Sequence, residues 1–289
     1  MTLCVVWRPK GGVIQVAADS RVSFGSDAAD VAVKVTALPM RLYHATPHGS
    51  DELRLAYERI LGLAVVGSLP TTYIAKELLQ GVLGSLQFAE GIADISMNGV
   101  ARVVATVFRS VSRDVCRAIF ERGRGQLILV GHCLEHRTGR AFLLSVETTS
   151  GKVDVEISEL LTSNNYAFFG SGASAATALH AANPDSPGYR IVRAVCDDPA
   201  VPSVGGNIQF GILDSEDFRV MGIRDYRVNS HLKEIYTAFY MAGVELYGGQ
   251  NLLGDSGFAV RSAFLNAFEA DILSLMNQGY AVVNSDAHW

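Results

Sequence analysis

The sequence predicts an α+β fold in which two antiparallel sheets pack face to face with helices on both outer sides, a four-layer αββα sandwich. Strand-like and helix-like segments occur in blocks: strands, two helices, strands, two helices, then strands. This order differs from the regular alternation of parallel sheets. The 289 residues are 49% hydrophobic and 18% charged, which suits a large core and excludes a disordered chain.

The first block opens with a hairpin whose turn is Pro9-Lys10-Gly11-Gly12. We expect its strands at residues 2–7, 13–18, 31–36 and 61–66. Prolines, Gly49 and charged residues fill the stretch 38–59. That composition predicts a surface excursion with a helical turn at 52–60.

Two amphipathic helices follow. The apolar face of the first recurs every four residues, at Ile74, Leu78, Val82 and Leu86. Thr71 or Thr72 is its expected N-cap, and Ser96 is the expected N-cap of the second helix. Valines between residues 100 and 115 give that second helix one apolar face, and we expect it to end at Gly123.

The rest of the chain completes the pattern. We expect strands at 126–133, 141–147 and 152–157, helices ending at Ala182 and Cys196, and strands at 206–213 and 218–223. Two amphipathic helices are expected at 230–246 and 256–276. The predicted organisation is therefore a domain at 2–223 and a C-terminal helical extension at 224–289.

Composition also excludes several classes of protein. Twenty-four basic and twenty-nine acidic residues give a net charge of −5 without blocks of like charge, unlike a nucleic-acid binder. Apolar runs fall short of the roughly 18–20 residues of a membrane span. The first residues do not resemble a signal peptide, and four scattered cysteines suit a reducing compartment, so we expect a cytoplasmic protein.

Metal and nucleotide sites are not expected. The spacing of His132, Cys133 and His136 resembles a ligand set, but a turn follows at once and a solvated hairpin end is the simpler interpretation. Gly170-Ser171-Gly172 lacks the further glycine of a dinucleotide motif. We therefore predict no cofactor.

Position 2 is a candidate nucleophile. A residue as small as Thr2 is normally exposed when Met1 is removed. It then carries a hydroxyl and a free α-amine whose reference pKa is about 7.7–8, so one residue supplies nucleophile and base. Ordinary proteins also begin Met-Thr, and the threonine gains meaning only from its surroundings.

Two charged residues supply those surroundings. Asp19 ends the second strand of the hairpin, which returns it to the neighbourhood of Thr2. Lys34 lies between Val33 and Val35, where burial is costly unless the ammonium is paired. Asp19 is the expected partner, and the alternative is a lysine on the solvent face of an edge strand.

These residues form part of an ordered set of motifs. Thr2, the run Ala17-Ala18-Asp19-Ser20-Arg21-Val22-Ser23 with Gly25, Lys34, Gly67, and Phe169-Gly170-Ser171-Gly172 before an Ala-rich helix occur in this order. Together they resemble proteasome β-type subunits and their bacterial relatives among the N-terminal-nucleophile hydrolases. The resemblance spans residues 2–223.

The resemblance implies a role for each residue. Thr2 would be nucleophile and base, Lys34 would tune the pKa of Thr2, Asp19 would hold Lys34, and Ser171 would hydrogen-bond near the amine. The Gly67 N–H would face the oxyanion. The segment containing Arg21, Ser23 and Gly25 would bind a peptide as an added strand.

One part of the motif differs. The family places an Asp three residues before the Ser of a Ser-Gly-Gly sequence, whereas this chain has Val201-Pro202-Ser203-Val204-Gly205-Gly206. Ser203 lies one place early and Asp198 is the nearest upstream carboxylate. Their contribution to the site is left open.

The predicted function is a threonine-type peptidase acting on peptides or unfolded proteins. Two alternatives remain, a non-proteolytic amidohydrolase of the same class acting on a small amide, and a catalytically silent subunit of such an assembly. The resemblance also implies a homo-oligomer, as a ring or helical stack. Whether an ATPase partner exists is left open.

Overall fold

The computed structural model describes residues 2–24, 27–45, 54–88, 95–149, 152–247 and 263–283. In these ranges the chain is a mixed α/β protein. The strands are β1 (Leu3–Trp7), β2 (Gln15–Ala18), β3 (Val22–Phe24), β4 (Asp27–Ala29), β5 (Val35–Tyr43), β6 (Leu55–Gly67), β7 (Leu86–Gln87), β8 (Gly125–Cys133), β9 (Thr138–Thr149), β10 (Lys152–Leu160), β11 (Tyr166–Gly170), β12 (Gln209–Asp214), β13 (Asp217–Asn229), β14 (Glu234–Met241), β15 (Val244–Tyr247), β16 (Phe264–Leu265) and β17 (Ala281–Val283). The helices are α1 (Leu69–Leu83), α2 (Met97–Ile119), α3 (Ala173–Ala182), α4 (Gly188–Cys196) and α5 (Glu269–Asn277).

The strands form two large sheets and one small hairpin. The first sheet has the order β11-β1-β2-β12-β13-β14-β15, with β16 paired to β13 and β17 paired to β14. The second has the order β10-β9-β8-β6-β5-β7, and β3 pairs with β4. The pairings along the core of both sheets are antiparallel, as the sequence predicts.

Buried apolar residues form three clusters. One joins α1 and α2 to the second sheet. Another joins α3 and α4 to β1 and β12 of the first sheet. The third contains residues from both sheets, including β1, β2, β6 and β8. The side chains of each central strand alternate between two of these clusters, as the period of two in a strand requires.

One aromatic ring fills the space between the sheets. Phe218 of β13 is 1% exposed and lies against two glycines, Gly62 of β6 and Gly211 of β12. A Cβ atom at Gly62 would lie 2.5 Å from the ring, and one at Gly211 would overlap it. Both positions therefore require glycine for the sheets to approach at this distance.

Several predicted elements are confirmed. The chain opens with the antiparallel hairpin of β1 and β2. Ser96 is the N-cap of α2, because its Oγ accepts the N–H of Gly99 at 3.1 Å. The meander of β8, β9 and β10 is present, and α3 and α4 occur where they are expected.

The buried face of α1 differs from the prediction. Ile74, Leu78 and Val82 are exposed, and the helix buries Thr71, Thr72, Ala75, Leu79 and Leu83. Both rows repeat every four residues, so spacing alone does not distinguish them. The row that packs inward has smaller residues in the first turn, where Thr72 lies against Gly125. The N-cap is Ser68, not Thr71 or Thr72.

The predicted excursion is largely a strand pair. β5 continues to Tyr43 and β6 begins at Leu55, so a helical turn over 55–60 is wrong. Arg54 is not helical either, and residues 52 and 53 lie outside the described residues. The strand expected at 31–36 begins only at Val35, and the hairpin of β3 and β4 precedes it.

The helix expected at 230–246 is also wrong, because the chain forms β14 and β15 there. Ile235, Thr237 and Tyr240 are buried in a strand pattern, and a hairpin turn with positive φ at Ala242 and Gly243 joins the two strands. The second expected helix appears as α5, while 248–262 lie outside the described residues. β13 runs unbroken across residue 223, and the division into two domains stays a prediction.

None of the helices in the described ranges combines the length and the apolar character that crossing a bilayer requires.

The contact of Phe218 with the two glycines gives a test of the fold. Gly62→Ala should lower the free energy of unfolding by about 1–3 kcal/mol, because the new methyl group overlaps the ring. Adding Phe218→Leu should make the double variant lose less than the sum of the single losses. Denaturant unfolding measures each value.

Gly81→Ala is the matched control. Gly81 lies in α1 with open space at its Cβ position, so alanine should stabilise the helix by about 0.5–1 kcal/mol. Additive losses for the Gly62 and Phe218 substitutions would contradict the proposed contact.

Candidate active site

A buried carboxylate lies at the centre of the site. Asp19 directly follows β2, and its side chain is 0% exposed. Its Oδ1 accepts the N–H of Leu3 at 2.9 Å and the Nζ of Lys34 at 2.7 Å. Its Oδ2 accepts the N–H groups of Arg21 and Gly205, each at 3.2 Å. The Asp19 side chain thus joins the start of β1, the segment before β5 and the loop before β12.

Lys34 is the cationic partner of this carboxylate. Its side chain is 0% exposed, so the solvent-facing alternative does not describe its position. Burial lowers the pKa of the Lys34 ammonium from its ordinary value of 10.5, and the adjacent Asp19 carboxylate opposes that shift. The lysine therefore releases its proton more readily than a lysine in water.

Thr2 directly precedes Leu3, whose N–H binds Asp19, and is itself buried. Its backbone nitrogen donates to Ser171 Oγ at 3.2 Å. Ser171 Oγ lies 2.9 Å from Ser203 Oγ and 3.5 Å from the carbonyl oxygen of Thr2. The nitrogen of Thr2 is therefore linked through Ser171 to Ser203, and Ser171 lies beside this nitrogen as the sequence predicts.

Two glycines with positive φ shape the surroundings of Thr2. Gly170 has φ +94°, and a Cβ atom there would overlap the carbonyl oxygen of Thr2. The close approach of β11 to β1 therefore requires glycine. Gly67 has φ +86° at the end of β6, and with Thr2 it lines a cavity of about 770 Å³.

The residues predicted to bind substrate lie in different surroundings. Ser23 lines both the 770 Å³ cavity and a neighbouring one of about 550 Å³. Arg21 forms a bidentate ion pair with Asp30, at 2.8 and 2.9 Å, and donates to the carbonyl oxygens of Pro202 and Val204. Its guanidinium thus holds the loop that carries Ser203. Gly25 lies outside the described residues.

Ser203 and Asp198, whose contribution to the site the sequence does not decide, lie in different positions. Ser203 reaches Ser171 and lines the smaller cavity. Asp198 caps its own loop, where Oδ1 accepts the N–H of Ala200 at 2.9 Å. Ser203 therefore belongs to the group around the nitrogen of Thr2, whereas the described contact of Asp198 is local.

Gln209 is a further residue of the site that was not predicted from the sequence. Its side chain is buried beside Asp19 and Lys34 and forms hydrogen bonds to both segments. A polar residue between Ile208 and Phe210 in an apolar strand is the same signal that singled out Lys34.

The histidine motif does not form a cluster. Cys133 Sγ lies 3.2 Å from His136 Nδ1, while His132 faces Glu216 at 4.0 Å. Within the described ranges no three His, Cys, Asp or Glu side chains converge as metal ligands would.

Comparison with protein-family models and with curated proteins gives no match. Among solved structures, the chain is similar to Anbu (ancestral beta-subunit) from Yersinia bercovieri, with 18% identity, a TM-score of 0.49, and coverage of 76% of this chain and 87% of that one. The chain is also similar to an Anbu (Gly-1) mutant from Hyphomicrobium sp. strain MC1, with 18% identity, a TM-score of 0.46, and coverage of 76% of this chain and 85% of that one. A third similar structure is BPH from Thiobacillus denitrificans in complex with epoxomicin, with 14% identity, a TM-score of 0.45, and coverage of 74% of this chain and 100% of that one. Each TM-score is below 0.5, so the function proposed below depends on the geometry of the site.

The lowered pKa of Lys34 predicts a pH dependence of stability. Lysine in the unfolded chain keeps its proton up to about its ordinary pKa of 10.5, while folded Lys34 loses it at lower pH. Between the two values the unfolded state binds more protons, so stability rises with pH. The free energy of unfolding of the parent, minus that of Lys34→Met, should therefore increase with pH in this interval.

Lys152→Met, which removes an exposed lysine of β10, is the control. A difference for Lys34→Met that falls with rising pH would contradict the lowered pKa.

Proposed function

We propose that this chain is a threonine-type N-terminal-nucleophile hydrolase of peptide bonds, in which removal of Met1 exposes Thr2. One observation carries the proposal. Asp19 Oδ1 accepts both the N–H of Leu3 and the Nζ of Lys34, so a buried cation is held beside the residue that follows Thr2. Burial of such a pair is costly, and its attachment to the segment that begins with Thr2 supports a catalytic use.

The proposed first half of the reaction forms an ester. The α-amine of Thr2 takes the proton of its own hydroxyl, and Oγ1 attacks the carbonyl carbon of the substrate. The carbonyl electron pair moves onto oxygen, where the N–H of Gly67 would donate to it. The C–N bond then breaks, and the proton on the α-amine passes to the departing amine.

The second half restores the enzyme. A water molecule attacks the ester while the free α-amine of Thr2 accepts its proton. The acid product leaves, and the proton returns to Oγ1. Ser171 and Ser203 would orient the amine, and Lys34 would favour the charged form of Oγ1 during attack.

The finer architecture belongs to the same proposal. The three separate apolar clusters support a four-layer αββα sandwich, with a helix pair against each sheet. We also propose a homo-oligomer in the cytoplasm. Half-exposed apolar side chains on α1 and α5, among them Leu78 and Leu273, support an assembly. Sedimentation showing only monomer at micromolar concentration would contradict it.

A hydrolase of small amides of the same class is the second candidate. The cavity of about 770 Å³ at Thr2 falls within the range of pockets that enclose small molecules. Parallel assays with peptides and with small amides separate the two.

Thr2→Ala tests the nucleophile. We expect hydrolysis to fall by about three orders of magnitude or more, because the attacking oxygen is removed. Thr106→Ala, an exposed threonine on α2, is the control and should keep the parental rate. An intact mass lacking Met1, and acylation of Thr2 by a β-lactone seen by mass spectrometry, should accompany activity.

Parental hydrolysis by Thr2→Ala would reject the nucleophile. Retention of Met1 in the purified chain would favour the silent structural subunit, because no free amine would then exist.

A further inference from the structure

Gln209 binds four polar groups around the pair of Asp19 and Lys34. Its Oε1 accepts the N–H of Lys34 at 2.8 Å and the N–H of Val35 at 3.1 Å. Its Nε2 donates to the carbonyl oxygens of Ala32 at 2.5 Å and Asp19 at 3.4 Å. Both N–H groups lie on one side of the amide and both carbonyls on the other, so only one orientation of the side chain fits.

These contacts cross between the two sheets. Gln209 begins β12 of the first sheet, and Lys34 precedes β5 of the second. Asp19, at the end of β2, lies beside Gln209 in the register in which Gln209 pairs with Ala18. The side chain thus sets the backbone of Lys34 relative to the backbone of Asp19, from which the two charged groups extend toward each other.

The turn between β14 and β15 packs against the side chain of Gln209. A Cβ atom at Gly243, in the turn between β14 and β15, would lie 3.2 Å from Gln209 Nε2 and 2.7 Å from Ser20 Cβ. Asn207 Nδ2 donates to the carbonyl oxygen of Gly243 at 2.9 Å. Gln209 is 1% exposed and has little freedom to leave its four partners.

We propose that Gln209 is a positioning residue that fixes Lys34 against Asp19 and thereby sets the reactivity of Thr2. This inference deepens the proposed function and depends on it for its catalytic part. Loss of the amide would free the Lys34 backbone and leave two buried N–H groups without an acceptor. The substrate cavity would keep its lining, because Gln209 is not among the residues that line it. The turnover number should therefore fall while KM stays near the parental value.

Gln209→Glu is the sharpest variant, because it keeps the shape and adds a proton switch. Neutral glutamic acid can accept from the N–H groups and donate its O–H toward the carbonyl of Ala32, as glutamine does. The ionised form would place an oxygen against two carbonyl oxygens and a negative charge near Asp19. The charged and titratable groups described near this pair are Asp19, Lys34, the thiols of Cys4 and Cys196, and Arg21 with its partner Asp30.

The ratio of turnover, Gln209→Glu to parent, should rise at least tenfold as the pH falls through the titration of the new carboxyl group. Gln80→Glu, an exposed glutamine on α1, should give a constant ratio. A ratio for Gln209→Glu that is equally independent of pH would overturn the proposal. Thermal unfolding at each pH identifies the folded fraction, so lost turnover in folded protein is separated from instability.

A second measurement does not require activity. The chain has five lysines, at positions 10, 34, 76, 152 and 233, so ¹³Cε-lysine labelling gives few NMR signals to titrate. In Gln209→Asn, whose shorter amide cannot span the same four groups, the pKa of Lys34 should fall further as contact with Asp19 weakens. An unchanged pKa would overturn the positioning role. A further fall in the Lys34 pKa of Gln209→Asn, together with a parent protein that hydrolyses nothing, would reject the proposed function and keep the structural part of the inference.

Discussion

The structure around Thr2 depends on one buried carboxylate whose two oxygens each accept two hydrogen bonds. Asp19 receives Leu3 and Lys34 on one oxygen and Arg21 and Gly205 on the other. An unpaired carboxylate in this position would cost several kcal/mol, so the four donors are needed together. The same four bonds bring together segments separated by up to 186 residues. The four segments must therefore lie close together for the buried Asp19 carboxylate to be fully hydrogen-bonded.

A second level of organisation surrounds this carboxylate. Arg21 holds the loop from Pro202 to Val204 through its carbonyl oxygens, and this loop presents Ser203 to Ser171. These contacts lie at the partly exposed edge of the site, and together they order a hydroxyl near the nitrogen of Thr2.

Local patterns in the sequence predicted much of the fold and part of the candidate site. The first hairpin, the Ser96 cap and the nearness of Asp19 to Lys34 follow from turn chemistry, capping and the cost of an unpaired lysine. The strands at 234–247 were mistaken for a helix because aromatic and apolar residues there fit both periods over a short stretch. Gln209 carries the same local signal as Lys34, a polar residue in an apolar strand, but that signal does not identify its partners, which are backbone groups of distant segments.

The ring of Phe218 between Gly62 and Gly211 has an effect beyond packing. It acts as the spacer between two sheets, and the Lys34–Asp19 ion pair bridges those same sheets. Hydrogen-bonded charges tolerate only a few tenths of an ångström before their attraction weakens. The spacing of the buried ion pair therefore depends on the packing of the hydrophobic interior, and loss of this apolar contact should disturb the proposed active site before the chain unfolds.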